Sequence, residues 1–159
     1  MNEIAFTKVD LPYGWLGNMS NFPVRFQGRL YKNSEALFQC LRFSNYPEIQ
    51  DEIFKQKSPM AAKMIAKKYK KILLQDGYQF LGENDVELMK LVLLEKIKNH
   101  PRLKKQLIET DDSEIIEDCT KRKSGSGKFW GACWENGKWE GKNVLGKLWM
   151  AIRHELTTG

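Results

Sequence analysis

Phe129–Arg153 reads FWGACWENGKWEGKNVLGKLWMAIR and holds four of the chain's five tryptophans and four of its twelve glycines. Aromatic faces and points of close backbone approach are therefore interleaved in one place. Glycine admits positive φ and tight contacts; tryptophan brings a large flat face and one N–H donor. Leu145, Leu148, Trp149 and Ile152 recur at i, i+3, i+4 and i+7, which predicts a helix with one apolar stripe. Asn143 stands at the N-cap position behind Gly141, and a helix N-terminus behind a glycine-bearing loop is suited to an anion such as phosphate. Asn136-Gly137, set between Trp134 and Trp139, predicts a tight hairpin turn. The stretch reads as a tryptophan-bearing hairpin feeding a capped helix, with the tryptophans serving either as core or as the wall of a pocket.

Outward from this stretch, 159 residues fit a single domain spanning positions 1–159. A hydrophobic fraction of 42% with 29% charged residues is that of a soluble globular protein. No run approaches the ~18 apolar residues of a membrane span, and the acidic N-terminal segment lacks the apolar core of a signal peptide. Cys40, Cys119 and Cys133 are odd in number and lack CxxC spacing, so they read as free thiols in a reducing, cytoplasmic setting. His100 and His154 are the only histidines. They are too few for an ordinary zinc site, so no metal or other cofactor is expected. The net charge of +6 gathers at Lys67, Lys68, Lys70 and Lys71 and again at Lys121, Arg122 and Lys123. These are either solvated helix faces and a basic loop or a surface for a phosphate-bearing ligand or nucleic acid. No zinc-finger or RNA-recognition signature accompanies them.

Along the chain, Ile4–Val9 alternates as a first strand, and Tyr13–Phe22, rich in Gly, Asn and aromatics, reads as a loop. Its asparagines either stabilise turns or bond ribose hydroxyls and base edges. Val24–Tyr31 alternates around Gln27-Gly28 as a small hairpin. Asn33 caps a helix to about Phe43 on which Glu35, Gln39 and Arg42 share one polar stripe at i, i+4 and i+7. A lone Glu in a first turn has a sufficient structural reason in the helix dipole; the same position also suits a catalytic carboxylate. Pro47 and Ser58-Pro59 open two further helices, the latter running to about Lys68. Asn84 with Glu87 resembles a capping box for a strongly apolar helix to Ile97. Pro101 opens a helix with Leu103, Leu107 and Ile108 inward. Glu114–Cys119 is extended, and Lys121–Lys128 is a basic glycine-serine loop expected to be mobile.

Four passages together resemble one family: Leu16–Phe43, Ser58–Lys63, Phe129–Gly131, and Gly141–Gly146 continuing through Met150 and Arg153. They look like the NADAR domain, or YbiA-like, family of N-glycosidases, whose members cleave phosphorylated riboflavin-pathway intermediates or ADP-ribose derivatives, including ADP-ribosylated guanine in nucleic acid. The resemblance implies a mainly α, single helical domain with small β-hairpin elements. It places Glu35 as the catalytic carboxylate of an E-x-x-x-Q motif completed by Gln39, with Arg42 where a basic residue is usual. Asn18, Asn21 and Phe22 match its first loop, Trp130-Gly131 its Trp-Gly, and Asn143 and Gly146 its N-x-L-G. All of these are expected to bind substrate. Many members carry Asp three residues before this Trp; here the position is Gly127. Glu135 and Glu140 stand nearby in sequence as the remaining carboxylates.

The chemistry and the resemblance agree. Breaking an N-glycosidic bond at ribose builds positive charge on the anomeric carbon and ring oxygen, and a close carboxylate stabilises that charge and activates water. Glycoside hydrolases use two carboxylates for the related task. The expected function is hydrolysis of an ADP-ribose derivative, with a phosphorylated riboflavin intermediate as the alternative substrate. A non-catalytic ADP-ribose-binding module and a plain nucleic-acid-binding module are the competing classes. The expected partners are an ADP-ribose-type or phosphorylated ribosyl small molecule and ADP-ribosylated nucleic acid, with no membrane.

Overall fold

The computed structural model describes residues 2–159. They gather into two units: the continuous segment Asn18–Asn99, and a unit made of the chain up to Gly17 together with His100–Gly159. The class is the mainly helical one expected, with eight α-helices and small strands among the described residues.

In the continuous unit, strands β2 (Val24–Phe26) and β3 (Arg29–Tyr31) form the expected antiparallel hairpin, with Arg25 opposite Leu30. Gln27 and Gly28 at its tip both take positive φ, 49° and 83°, as a two-residue turn of this hand requires. Helix α1 (Ser34–Arg42) starts where Asn33, in extended conformation, accepts a 2.8 Å hydrogen bond from Ala36 N. It packs against α2 (Pro47–Phe54), α3 (Pro59–Lys68) and α5 (Glu83–Asn99), and Ala36, Leu37, Phe38 and Cys40 are buried between them. Pro47 and Pro59 occupy first turns, where a missing N–H costs nothing. Ser58 caps α3 by accepting from Ala61 N at 3.0 Å.

Two expectations here need correction. Lys70–Gln75 forms a short helix, α4, that the sequence reading passed over as a charge cluster; only Leu73 on it is buried, too little for a visible apolar period. Helix α5 begins at Glu83, not behind an Asn84 cap. Asp85, wholly buried, reaches back to accept from Leu81 N at 2.7 Å, while Asn84 donates to Tyr78 Oη at 3.4 Å. This helix is central but buried along one face only, with Leu94 36% exposed.

In the other unit, strand β1 (Glu3–Phe6) pairs in parallel with β4 (Glu114–Glu117), Ile4 opposite Ile115. Helix α6 (Pro101–Glu109) turns Leu103 and Leu107 inward, but Ile108 is 38% exposed, against expectation, because it lies off the buried stripe. A one-turn helix α7 (Gly127–Trp130) precedes the hairpin of β5 (Cys133–Glu135) and β6 (Lys138–Glu140), in which Trp134 faces Trp139 across the Asn136-Gly137 turn. Helix α8 (Val144–Thr158) lies on β4 and buries Leu145, Trp149 and Ile152. Trp149 is completely buried, meets Trp15 edge-on at 5.9 Å and donates its indole N–H to Leu16 O at 2.9 Å. It is core. Trp134 is 49% exposed, and its pair with Trp139 forms an aromatic ledge.

Asn143 precedes α8 but does not cap it. Its φ of 50° is left-handed and its side chain makes no cap bond. The amide instead bridges two backbone groups of β4, accepting from Glu117 N at 3.0 Å and donating to Ile115 O at 2.9 Å. Three residues on, a Cβ at Gly146 would fall 2.1 Å from Ile115 O. The first turn of α8 thus lies flush on the strand because one residue reaches across and the other has no side chain.

Candidate active site

Glu35, Gln39 and Arg42 do fall on one stripe of α1, and the structure links them by hydrogen bonds. Gln39 Nε2 donates to Glu35 Oε2 at 2.6 Å, and Arg42 Nη1 donates to Gln39 Oε1 at 3.4 Å. Arg42 also closes a two-pronged pair on Asp85, 3.0 Å from Nε and 2.6 Å from Nη2, and its guanidinium lies 4.5 Å from the centre of the Phe38 ring and 4.9 Å from that of Phe80. Tyr78 Oη donates to the same Asp85. Burial and the Asp85 carboxylate hold the Tyr78 phenol up to about 12, so it stays a donor. Arg42 therefore has a structural duty: it compensates a buried carboxylate in a paired geometry. A cleft of about 510 Å³ opens at the Tyr78 end of this network, walled by Tyr78, Gln79, Gly82, Glu83 and Asn84. Glu35 is not among its walls.

Glu35 is 7% exposed, and burial raises its pKa above the ordinary carboxyl value, against the lowering effects of the Gln39 amide and of the Lys63 and Arg42 charges. A raised pKa makes the carboxylate a stronger base and keeps a protonated fraction to higher pH. Its backbone N–H donates to Asn18 O at 3.3 Å, which fixes the asparagine loop against the first turn of α1. Asn18 is buried; its amide nitrogen contacts Met89 Sδ at 3.0 Å and its Oδ1 has no hydrogen-bond partner. Ser34 Oγ, next to Glu35 in sequence, is likewise buried without one. Buried polar groups without partners are rare. Both lie on residues next to Glu35, Ser34 in sequence and Asn18 through its backbone carbonyl. Asn21 is exposed and Phe22 half-buried at the loop's end.

The sequence reading missed Lys96. It is completely buried, donates to Ser20 Oγ at 3.0 Å and lies 5.4 Å from the centre of the Phe22 ring. Burial depresses its pKa to about 7. A signal existed: Asp85, Met89, Val92 and Lys96 recur on one face of α5, so two charges sit on the buried stripe of an apolar helix. Charged residues there are seldom idle.

The remaining predicted residues belong to the other unit. Trp130 is half-buried and meets Phe129 edge-on at 4.8 Å. Gly131 is buried, and a Cβ there would fall 2.4 Å from Glu117 O. Asn143 and Gly146 have the strand-bracing duties described above. Gly127, where an Asp was expected from the resemblance, is held by the fold: a Cβ would lie 2.3 Å from Arg122 O, which excludes any side chain on this backbone. Glu135 sits between Lys123 and Lys128, each at 3.3 Å, and these lysines lower its pKa, so it is held ionised and is no proton donor. Glu140 pairs with Lys138 at 3.3 Å.

Among the described residues no cluster of His, Cys, Asp and Glu is fit to hold a metal ion, and no helix is long and apolar enough to cross a membrane. The fold is mainly helical, and its first α-helix carries a buried carboxyl whose pKa is raised by burial. The chain belongs to the NADAR domain family, whose sequence model matches residues 5–157. It is 27% identical over 153 residues to N-glycosidase YbiA of Escherichia coli, covering 96% of this chain and 88% of that protein. Over the same length it is 27% identical to a riboflavin biosynthesis protein of Vibrio vulnificus. There the chain spans only 38% of its relative's length. An N-glycosidase of Nostoc punctiforme is also 27% identical, over 155 residues, with 96% of this chain and 92% of that protein covered. The NMR structure of Escherichia coli YbiA superimposes with a TM-score of 0.73 at 23% identity, over 99% of this chain and 87% of that one, and shares its fold.

Proposed function

We propose that this protein is an N-glycosidase that hydrolyses the bond between ribose and a nitrogenous base in an ADP-ribose derivative, such as ADP-ribosylated guanine in nucleic acid. The observation that carries the reading is the buried Glu35, its pKa raised and its backbone N–H bonded to Asn18 O of the asparagine loop. Ionised Glu35 stabilises the positive charge that grows on the anomeric carbon and takes a proton from the attacking water. The C–N bond breaks, the base leaves with its electron pair and is protonated, and hydroxide equivalent from water completes the ribose. Gln39 orients the carboxylate. Asn18 and Ser34 receive ribose hydroxyls. The asparagine loop supplies contacts to the base or sugar, and the net charge of +6 favours a ligand with a pyrophosphate. The N-glycosidase names of the Escherichia coli and Nostoc punctiforme relatives support the reaction class.

A phosphorylated riboflavin-pathway intermediate is the second reading, favoured by the name of the Vibrio vulnificus relative. Incubation with ADP-ribosylated nucleic acid, ADP-ribosylated protein and phosphorylated riboflavin intermediates, followed by mass spectrometry of the products, separates the two. Release of free base and ADP-ribose supports the first. Cleavage of the flavin intermediate alone supports the second. Binding of ADP-ribose without turnover of any substrate makes the protein a binding module.

A further inference from the structure

Cys119 and Cys133 hold their sulfurs 2.8 Å apart, and both are buried, 2% and 0% exposed. The backbone accounts for the approach. Asp118 and Ala132 form a parallel bridge, Ala132 N donates to Glu117 O at 2.8 Å, and Cys119 N donates to Ala132 O at 2.9 Å. One residue further, Trp134 N donates to Thr120 Oγ1 at 2.9 Å. The two cysteines therefore stand side by side on neighbouring extended segments. Such segments lie about 4.8 Å apart, within the Cα separation of about 4.4–6.8 Å that a disulfide spans without backbone movement. Cys40 has no part in this; its thiol contacts Gln50 O at 3.5 Å.

We propose that Cys119 and Cys133 are a redox modification site, joined as an intramolecular disulfide when the protein meets a peroxide or a small-molecule disulfide. With a peroxide, one thiol loses its proton and attacks oxygen, giving a sulfenic acid and one water. The second sulfur then attacks the sulfenic sulfur, forming the S–S bond and releasing a second water. The pair loses two electrons and two protons, and the peroxide is reduced. With a small disulfide such as oxidised glutathione, the same two electrons pass by exchange through a mixed disulfide, and two reduced thiols leave.

Burial, with Cys133 alongside, pushes the Cys119 thiol up to about 12, so little thiolate exists and the reaction is slow. The same burial shields the product from reductant. The bond closes a loop that contains the basic segment KRKSGSGK and Trp130-Gly131. Oxidation thus fixes both ends of the segment that carries the predicted substrate-binding tryptophan. The proposal rests on thiol geometry alone and stands apart from the choice of substrate.

The test places the reduced full-length protein in glutathione buffers of graded oxidation, quenches with acid, denatures, alkylates and maps peptides by mass spectrometry. The expected result is a Cys119–Cys133 linked peptide with Cys40 alkylated. Half-oxidation should occur at a squared-glutathione to glutathione-disulfide ratio about 100-fold higher for folded protein than for the same chain in concentrated urea, because the fold pre-pays closure of the loop. Cys119→Ser should yield no intramolecular link. Glutathione adducts on separate cysteines in place of the link, or the same half-oxidation ratio folded and unfolded, overturns the proposal.

Discussion

Gln39 Nε2 donates a 2.6 Å hydrogen bond to Glu35 Oε2 across one helical turn, and both residues are buried. A carboxyl in this position is held in a single orientation while lack of solvent keeps its charge costly. That combination suits a base that must act on one bound water rather than on bulk solvent.

Glu35→Gln keeps the shape and the contact with Gln39 but has no charge to offer. It is expected to fold as the wild type and to lower kcat by about 100-fold or more, the order lost with a general acid–base group. Steady-state kinetics on whichever adduct is cleaved, with circular dichroism to confirm folding, checks this. Turnover at the wild-type rate removes Glu35 from the mechanism.

The same substitution carries a pH signature. Because burial raises the Glu35 pKa, the folded state holds the proton more tightly than the unfolded one. Its contribution to stability is full below the ordinary carboxyl pKa and declines as pH rises through the folded value. Glu35→Gln has no such decline. Its urea midpoint should match the wild type's in acid and exceed it at neutral pH; parallel curves at all pH values contradict the shift.

Lys96 gives the opposite slope. Its folded pKa is about 7 against 10.5 when unfolded, so between those values the folded state holds fewer protons. The cost of burying the ammonium is complete below the folded pKa and disappears as pH climbs toward the unfolded one. Lys96→Met, similar in length and apolar, should be more stable than wild type near neutrality. The two should converge by pH about 10. Denaturant melts across that range read the difference. If substrate turnover also falls in the stable variant, the amine serves the reaction as well as the fold.

Gly146→Ala drives a methyl group to 2.1 Å from Ile115 O, where neither backbone can yield without breaking the Asn143 bridge. Asn143→Ala leaves Glu117 N and Ile115 O without their side-chain partners, each worth about 1–3 kcal/mol when buried. Both variants should lower Tm markedly, with Gly146→Ala the more severe. Calorimetry decides: unchanged Tm with lost ligand binding would return these two residues to substrate contact.

Much of the helical frame was legible because its signals are local. Asn33 announces α1, prolines mark the starts of α2, α3 and α6, Gln27-Gly28 and Asn136-Gly137 set two hairpins, and the Leu145–Ile152 stripe gives α8. The stripe of Glu35, Gln39 and Arg42 was equally local. What could not be read depends on partners far along the chain. Asp85 lies 43 residues from Arg42 and Ser20 lies 76 from Lys96. The Asn143 side chain looked like a cap because sequence shows the position, not that the backbone turns left-handed there. The cysteines looked unrelated because a parallel bridge, unlike a CxxC turn, imposes no fixed spacing.

The parallel pairing of β1 with β4 has a consequence for the order of assembly. Residues 3–6 leave the ribosome before Asn18–Asn99, yet their partner strand at residues 114–117 is made only after all of that unit. The intervening unit is continuous and its contacts are nearer in sequence, so it is free to fold while the leading strand waits. Closing so long a loop is slow relative to local helix formation. During that interval β1 is an unpaired edge, and its charged ends, Glu3 and the nearby Lys8 and Asp10, guard it against pairing with another chain.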